Sequence, residues 1–175
     1  MTEATRTIPL SRALVARVDE ADYDELSKHK WYARYSESSR SWYAFRSGYV
    51  NGKRSTIQMA RQILGLKHGD ARQPDHKNHD TLDNVRGNLR IATRKQNCRN
   101  RRRRTDNVST FKGVSWNKGA SKSGRWRAQI WVNGTNKLIG HFDDPIEAAK
   151  AYDRRARQEQ GEFAYTNFPA EQVAA

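Results

Sequence analysis

The chain has 175 residues and carries 33 Lys and Arg against 19 Asp and Glu, a formal charge of +14. Only 35% of its residues are hydrophobic, which excludes one large core and favours small units anchored by aromatic side chains. The charge calls for a polyanionic partner, nucleic acid first among them. A membrane surface would need a basic helix with a Leu/Phe face, and a membrane span would need a long apolar run; the sequence offers neither. MTEATRTIPL lacks a signal-peptide core, and Cys98 stands alone, against a disulfide framework or Cys-ligated zinc. A cytoplasmic protein is expected.

In chain order, a β-rich segment with one helix is expected over residues 1–73. Trp31 to Tyr35 and Trp42 to Val50 read as strands, Asn51-Gly52 as a turn, and Thr56 to Leu66 as a helix with Ile57, Ala60, Ile63 and Leu64 on one face. Residues 74–100 are polar and dense in Asp, His and Asn. Asp75-His76 opens this zone, the loop KNHDTLDNVRG follows, and Asn88-Leu89-Arg90-Ile91-Ala92 reads as a short strand. Thr93 with Gln96 three residues on makes a capping box, so Asn97 falls in the first turn of a helix and Asn100 one turn further. A strand, loop, strand and helix with so little apolar material imply that the polar side chains do more than pack. Cys98 is expected to be a small buried residue of that helix, and His79 to be solvated.

Residues 101–108 are a basic linker headed by Arg101, Arg102, Arg103 and Arg104. From Arg125 the chain alternates: Trp126, Ala128, Ile130 and Val132 fall on one face, Arg125, Arg127, Gln129 and Trp131 on the other. Asn133-Gly134 is a hairpin turn, Leu138 to Phe142 the returning strand, and Phe111 to Trp116 a third. Asp144-Pro145-Ile146-Glu147 starts a helix, Gly161 stops it, and Ile146, Ala149, Tyr152 and Ala156 form its apolar stripe. This helix should cover the Trp126 face and leave the arginine face open. Residues 109–169 thus form one domain and 170–175 a tail. An open face of Arg, Gln and Trp suits a DNA groove: Arg meets phosphates or guanine, Gln pairs with adenine, Trp packs on sugars or methyls.

Asp75-His76, Leu82-Asp83-Asn84, Asn88-Leu89-Arg90 and Gln96-Asn97 together resemble the HNH endonuclease motif, in the homing-endonuclease branch where the third position is Asn. The stretch Lys30 to Ala33 and Met59 to Leu66 resembles what precedes the motif there, except that Ala60 stands where His is common. The resemblance implies a ββα-metal (His-Me finger) module in an α+β chain, with His76 as general base, Asp75 and Asn97 as metal ligands, and Asn88 orienting His76 or bracing the loop. Hydrolysis of a phosphodiester needs a base titrating near neutrality and a cation for the developing charge. Carboxylate and carboxamide oxygens suit Mg2+ or Mn2+.

Phe111-Lys112-Gly113-Val114, Trp126 to Ile130, Ile139 to Phe142, Ala148-Ala149, Ala151-Tyr152-Asp153 and Asn167-Phe168-Pro169 resemble an AP2 domain, a three-stranded antiparallel sheet plus one helix. That implies a sheet in the major groove with Lys112, Gln129 and Trp131 among the contacts; Arg125, Arg127 and Lys137 join them as DNA-binding candidates, and Arg101 to Arg104 would follow phosphates. Ser115 and Asn117 stand where Arg is usual, so the base sequence read by plant members does not carry over. The expected activity is metal-dependent cleavage of double-stranded DNA at sites chosen by the AP2 domain, by a monomer or weak dimer. The rival is a DNA-binding regulator whose nuclease module is inactive; an RNA-binding protein would want stacking platforms that the sequence lacks.

Overall fold

A computed structural model describes residues 4–100, 109–119 and 125–169. The basic linker, Arg101 to Arg104 included, and the tail lie outside the described residues. The fold is α+β, with several small antiparallel sheets and few helices. It divides into two compact units, residues 1–95 and 96–175, which are described in turn.

The first unit opens with a hairpin that the sequence reading did not resolve. Strands β1 (Thr5–Pro9) and β2 (Val15–Asp19) pair antiparallel, and helix α1 (Glu20–Ser27) follows directly. Alternation places Ile8 and the pair Ala16 and Val18 inside. A three-stranded meander comes next: β3 (Tyr32–Ser36), β4 (Ser41–Val50) and β5 (Lys53–Gln58). Asn51 and Gly52 both have positive φ, 50° and 75°, the requirement of a tight two-residue hairpin turn. That turn propagates pairing as far as Phe45 opposite Gln58, so Thr56, Ile57 and Gln58 lie in a strand and not in the expected helix. The β-branched pair Thr56-Ile57 suits the pleated surface, and a ladder of backbone hydrogen bonds outweighs a weak 3.6-residue pattern. What remains of the helix is α2 (Met59–Ile63). Met59, Ala60, Ile63, Trp31, Ala44 and Leu26 form the core with the hairpin residues, and the indole N–H of Trp31 is satisfied by the Leu26 carbonyl at 2.8 Å. Ala60 is a buried packing position.

Strands β6 (Gln73–His76) and β7 (Leu89–Ala92) form a separate two-stranded sheet, with Asp75 opposite Arg90 and His76 opposite Leu89. Helix α3 (Arg94–Arg99) begins two residues after β7. Cys98 on α3 is exposed, not buried as expected.

In the second unit, β8 (Val114–Asn117), β9 (Arg125–Val132) and β10 (Thr135–Phe142) make a sheet of order β10-β9-β8. Helix α4 (Pro145–Gln160) lies on one face. Asp144 caps it, its carboxylate oxygens accepting from the Ile146 and Glu147 amides, both at 3.2 Å, and Gly161 ends it at φ 55°. Val114 and Ala128 pack on Ala148 and Ala149; Ile130 and Val132 pack on Tyr152 and Ala156. Ile146 is exposed, so the buried stripe is set by Ala148, Ala149 and Tyr152 rather than beginning at the first turn. Small alanines let helix and sheet approach closely, and Gly113 does the same: a Cβ there would sit 2.0 Å from Cδ2 of Tyr152.

Candidate active site and nucleic-acid face

The loop between β6 and β7 has almost no apolar content, and its shape is fixed by hydrogen bonds to β2 and α1. The Arg17 amide donates to the Leu82 carbonyl (2.9 Å) and the Asn84 amide to the Arg17 carbonyl (2.7 Å). The Arg17 guanidinium grips the buried Asp83 carboxylate with two bonds, Nε to Oδ1 at 3.0 Å and Nη2 to Oδ2 at 2.7 Å. Further along, the Arg86 amide donates to Asp19 (2.7 Å) and its guanidinium to both oxygens of Asp22. Burial pushes the Asp83 carboxyl up, but hydrogen bonds from Arg17 and Asn78 outweigh this and hold it below the usual carboxylate range.

This scaffold presents Asn84, itself 1% exposed, to His76. The Asn84 carboxamide oxygen lies 3.3 Å from His76 Nε2, while its Nδ2 donates to the Leu82 carbonyl at 3.1 Å. With the amide nitrogen used as a donor, Oδ1 is the acceptor, and the neutral imidazole carries its hydrogen on Nε2. The lone pair of the neutral ring then resides on Nδ1. His76 is 5% exposed, and burial lowers its pKa below the ordinary imidazole value despite Asn84, Asp75, Asp80 and Asp83. The Tyr43 ring meets the imidazole edge-on, centroids 6.4 Å apart.

Asn88, for which the resemblance implies either orienting His76 or bracing the loop, makes the contacts of a brace. Its Oδ1 accepts from the Asn78 amide (3.0 Å), its Nδ2 donates to the Asp83 carbonyl (2.7 Å), and its own carbonyl accepts from Lys77. Asn88 braces the loop. Asn84 lies against the imidazole, and the Leu82-Asp83-Asn84 run of the motif is the signal that the sequence offers for it.

Asp75 is also 5% exposed, and Arg90 Nε donates to its Oδ2 at 2.7 Å. A carboxylate has about four lone-pair sites, so this bond leaves the chemistry of an oxygen ligand intact. Asn97 sits on α3, four positions after Thr93. Among the described residues no group of three or more His, Cys, Asp or Glu is placed to hold a metal ion; the donors on hand are hard carboxylate and carboxamide oxygens, which fit Mg2+ or Mn2+ and not zinc.

In the second unit, the row opposite α4 holds Ser115, Arg127 and His141 in one cross-strand register, with Asn117 beside Arg125 and Leu138 beside Gln129. Trp131 is 65% exposed. Arg127 Nε and Ser115 Oγ are buried atoms with no hydrogen-bond partner among the described residues, and Arg125 pairs with Asp143 at 3.1 Å. Two candidates fall outside this row. Lys137 is opposite Ile130, a buried residue of the helix side. Lys112 donates to the Arg99 carbonyl at 2.7 Å and lies over the Tyr165 ring, and burial lowers its pKa to about 8.

Over 135 residues, the chain is 31% identical to an uncharacterized HNH endonuclease of Acanthamoeba polyphaga mimivirus, an alignment covering 74% of this chain and 68% of the relative. The chain belongs to the HNH endonuclease family. This HNH chain is also similar to plant proteins over a shorter stretch. It is 39% identical over 67 residues to an AP2/ERF and B3 domain-containing protein of Oryza sativa subsp. japonica, covering 38% of the chain and 17% of the relative. To an AP2-like ethylene-responsive transcription factor of Arabidopsis thaliana it is 38% identical over 60 residues, covering 34% of the chain and 12% of the relative. No family model and no solved structure matches the HNH chain.

Proposed function

We propose that the chain is a metal-dependent endonuclease of duplex DNA, with His76 as general base and a second unit of AP2 type that selects the site. The observation that carries this is the buried His76, held neutral by desolvation and fixed through Nε2 by Asn84. A neutral, oriented imidazole accepts a proton from an attacking water near neutral pH, a contribution of roughly 10²- to 10⁴-fold to rate. Asn84 sets the tautomer, Arg17 and Asp83 hold the loop that carries it, and Arg90 orients Asp75. Asp75 and Asn97 would hold a divalent ion, which when bound supplies positive charge for the scissile phosphate. In this reading residues 74–100 are the ββα-metal module, 101–108 a basic linker and 109–169 the AP2 domain. Arg127 Nε and Ser115 Oγ, shielded atoms without a hydrogen-bond partner among the described residues, suit groups completed by DNA.

The test is nicking of a supercoiled plasmid with Mg2+ or Mn2+ and with EDTA. Cleavage should need the cation, and His76→Ala should lose at least about 100-fold in rate while binding duplex DNA as the parent does. Equal cleavage by His76→Ala, or cleavage undiminished in EDTA, overturns the assignment; a parent that binds DNA and never cuts is a regulator.

A further inference from the structure

The face of the β3-β4-β5 sheet turned away from the core has no role in the reading above. Registration places Arg34 opposite Tyr43, and Tyr49 opposite Arg54, all on the side of Phe45; the opposite side carries Ala33 and Ala44 into the core. Arg34, Tyr49 and Arg54 are exposed, Tyr49 at 76%, and Arg34 is stacked over the Phe45 ring at 3.7 Å. Neither Arg34 nor Arg54 pairs with a carboxylate among the described residues. No strand position on this face is acidic, and residues 30–58 hold six basic side chains against one acidic, Glu37. Exposed Tyr and unpaired Arg on a carboxylate-free face are complementary to a phosphate backbone.

The face is also continuous with the catalytic histidine. Tyr43 belongs to it, and the Tyr43 ring is the one that meets His76. The Thr81 hydroxyl of the active-site loop donates to the Trp42 carbonyl on the same strand, tying loop to sheet. Six residues of β4 separate Tyr43 from Tyr49, roughly 20 Å of strand, the length of about six base pairs.

The geometry points to this sheet face as a DNA-contact surface of its own, one that grips the duplex flanking the scissile phosphate from Tyr43 at the cut out to Tyr49 and Arg54 about six base pairs away. The inference rests on the nuclease reading in taking His76 as the point of cleavage. It adds a second place of contact, inside the first unit, that fixes the duplex against the imidazole independently of the second unit's sheet.

The test uses the full chain with Arg34→Gln and Arg54→Gln together, and fluorescence anisotropy on a mixed-sequence 40-base-pair duplex over a range of salt. Loss of two phosphate contacts should reduce the slope of log affinity against log salt by about 2 and raise the half-saturating concentration for plasmid nicking with little change in the saturated rate. Arg34→Lys with Arg54→Lys should restore the slope. A double Gln variant with the parent's slope and half-saturation overturns the inference. A duplex carrying 5-iodouracil gives a second measurement: crosslinks to Tyr49 should map about six base pairs from the nick, and their absence while crosslinks form elsewhere on the chain counts against the surface. If the parent binds but never nicks, the nuclease reading fails, while the salt slope still decides whether the face contacts DNA.

Discussion

The loop between β6 and β7 and the C-terminal sheet-helix pair are held together by opposite means. Residues 77–88 have little to bury, and their conformation rests on Arg17, Asp19, Asp22, Asn78 and Asn88 reaching loop backbone or carboxylate. The C-terminal unit rests on contact between alanines of α4 and the small and branched residues of β8 and β9. A polar network specifies positions one bond at a time and is sensitive to protonation; an apolar interface is insensitive to pH and intolerant of added volume. The difference shows in what each region holds: a polar network fixes the Asn84 carboxamide against one imidazole, and an apolar interface seats a helix along a whole sheet.

The largest expected effect breaks the apolar side. Gly113→Ala adds a methyl 2.0 Å from the Tyr152 ring at a position with φ 77°, and should destabilise the second unit by about 3 kcal/mol, read from the urea midpoint. On the polar side, Asp83→Asn removes a charge-assisted pair and should cost about 2 kcal/mol at neutral pH, with nicking lost in step. Because the folded-state pKa of Asp83 is depressed, its contribution is present above the ordinary carboxylate pKa of 3.8 and lost as pH falls through the lower folded value. The stability gap between parent and variant should therefore close in strong acid. The smallest effect crosses the comparison: Lys112 is a titrating group inside the second unit. Its pKa is lowered from 10.5 to about 8, so between those values the unfolded chain holds a proton that the folded chain does not, and stability rises with pH. Parent minus Lys112→Met stability should climb by about 1 kcal/mol from pH 9 to 10, and a flat difference would mean that the ammonium stays charged.

Legibility in the sequence followed the same division. Period-two alternation from Arg125, the Asn133-Gly134 turn and the Asp144-Pro145 start are local signals, and β9, β10 and α4 formed where those signals lie. Strands β6 and β7 were equally readable from Asp75-His76 and Leu89 to Ala92. The β1-β2 hairpin was not, because Arg17, Asp19 and Asp22 act on residues more than sixty positions away and no spacing within a short window announces that. That Asn84 faces the ring is unannounced on the same ground: which of two nearby carboxamides does so depends on how β2 anchors the loop. Ile57 misled because a single turn dictated pairing across all of β5.

One consequence follows from the Arg17–Asp83 clasp, which joins partners 66 residues apart. Closing so long a segment is slow and entropically costly relative to local structure. The imidazole therefore gains its orienting neighbour only after the opening hairpin has docked on the loop, and a partly folded or newly synthesised chain carries the histidine without its aim.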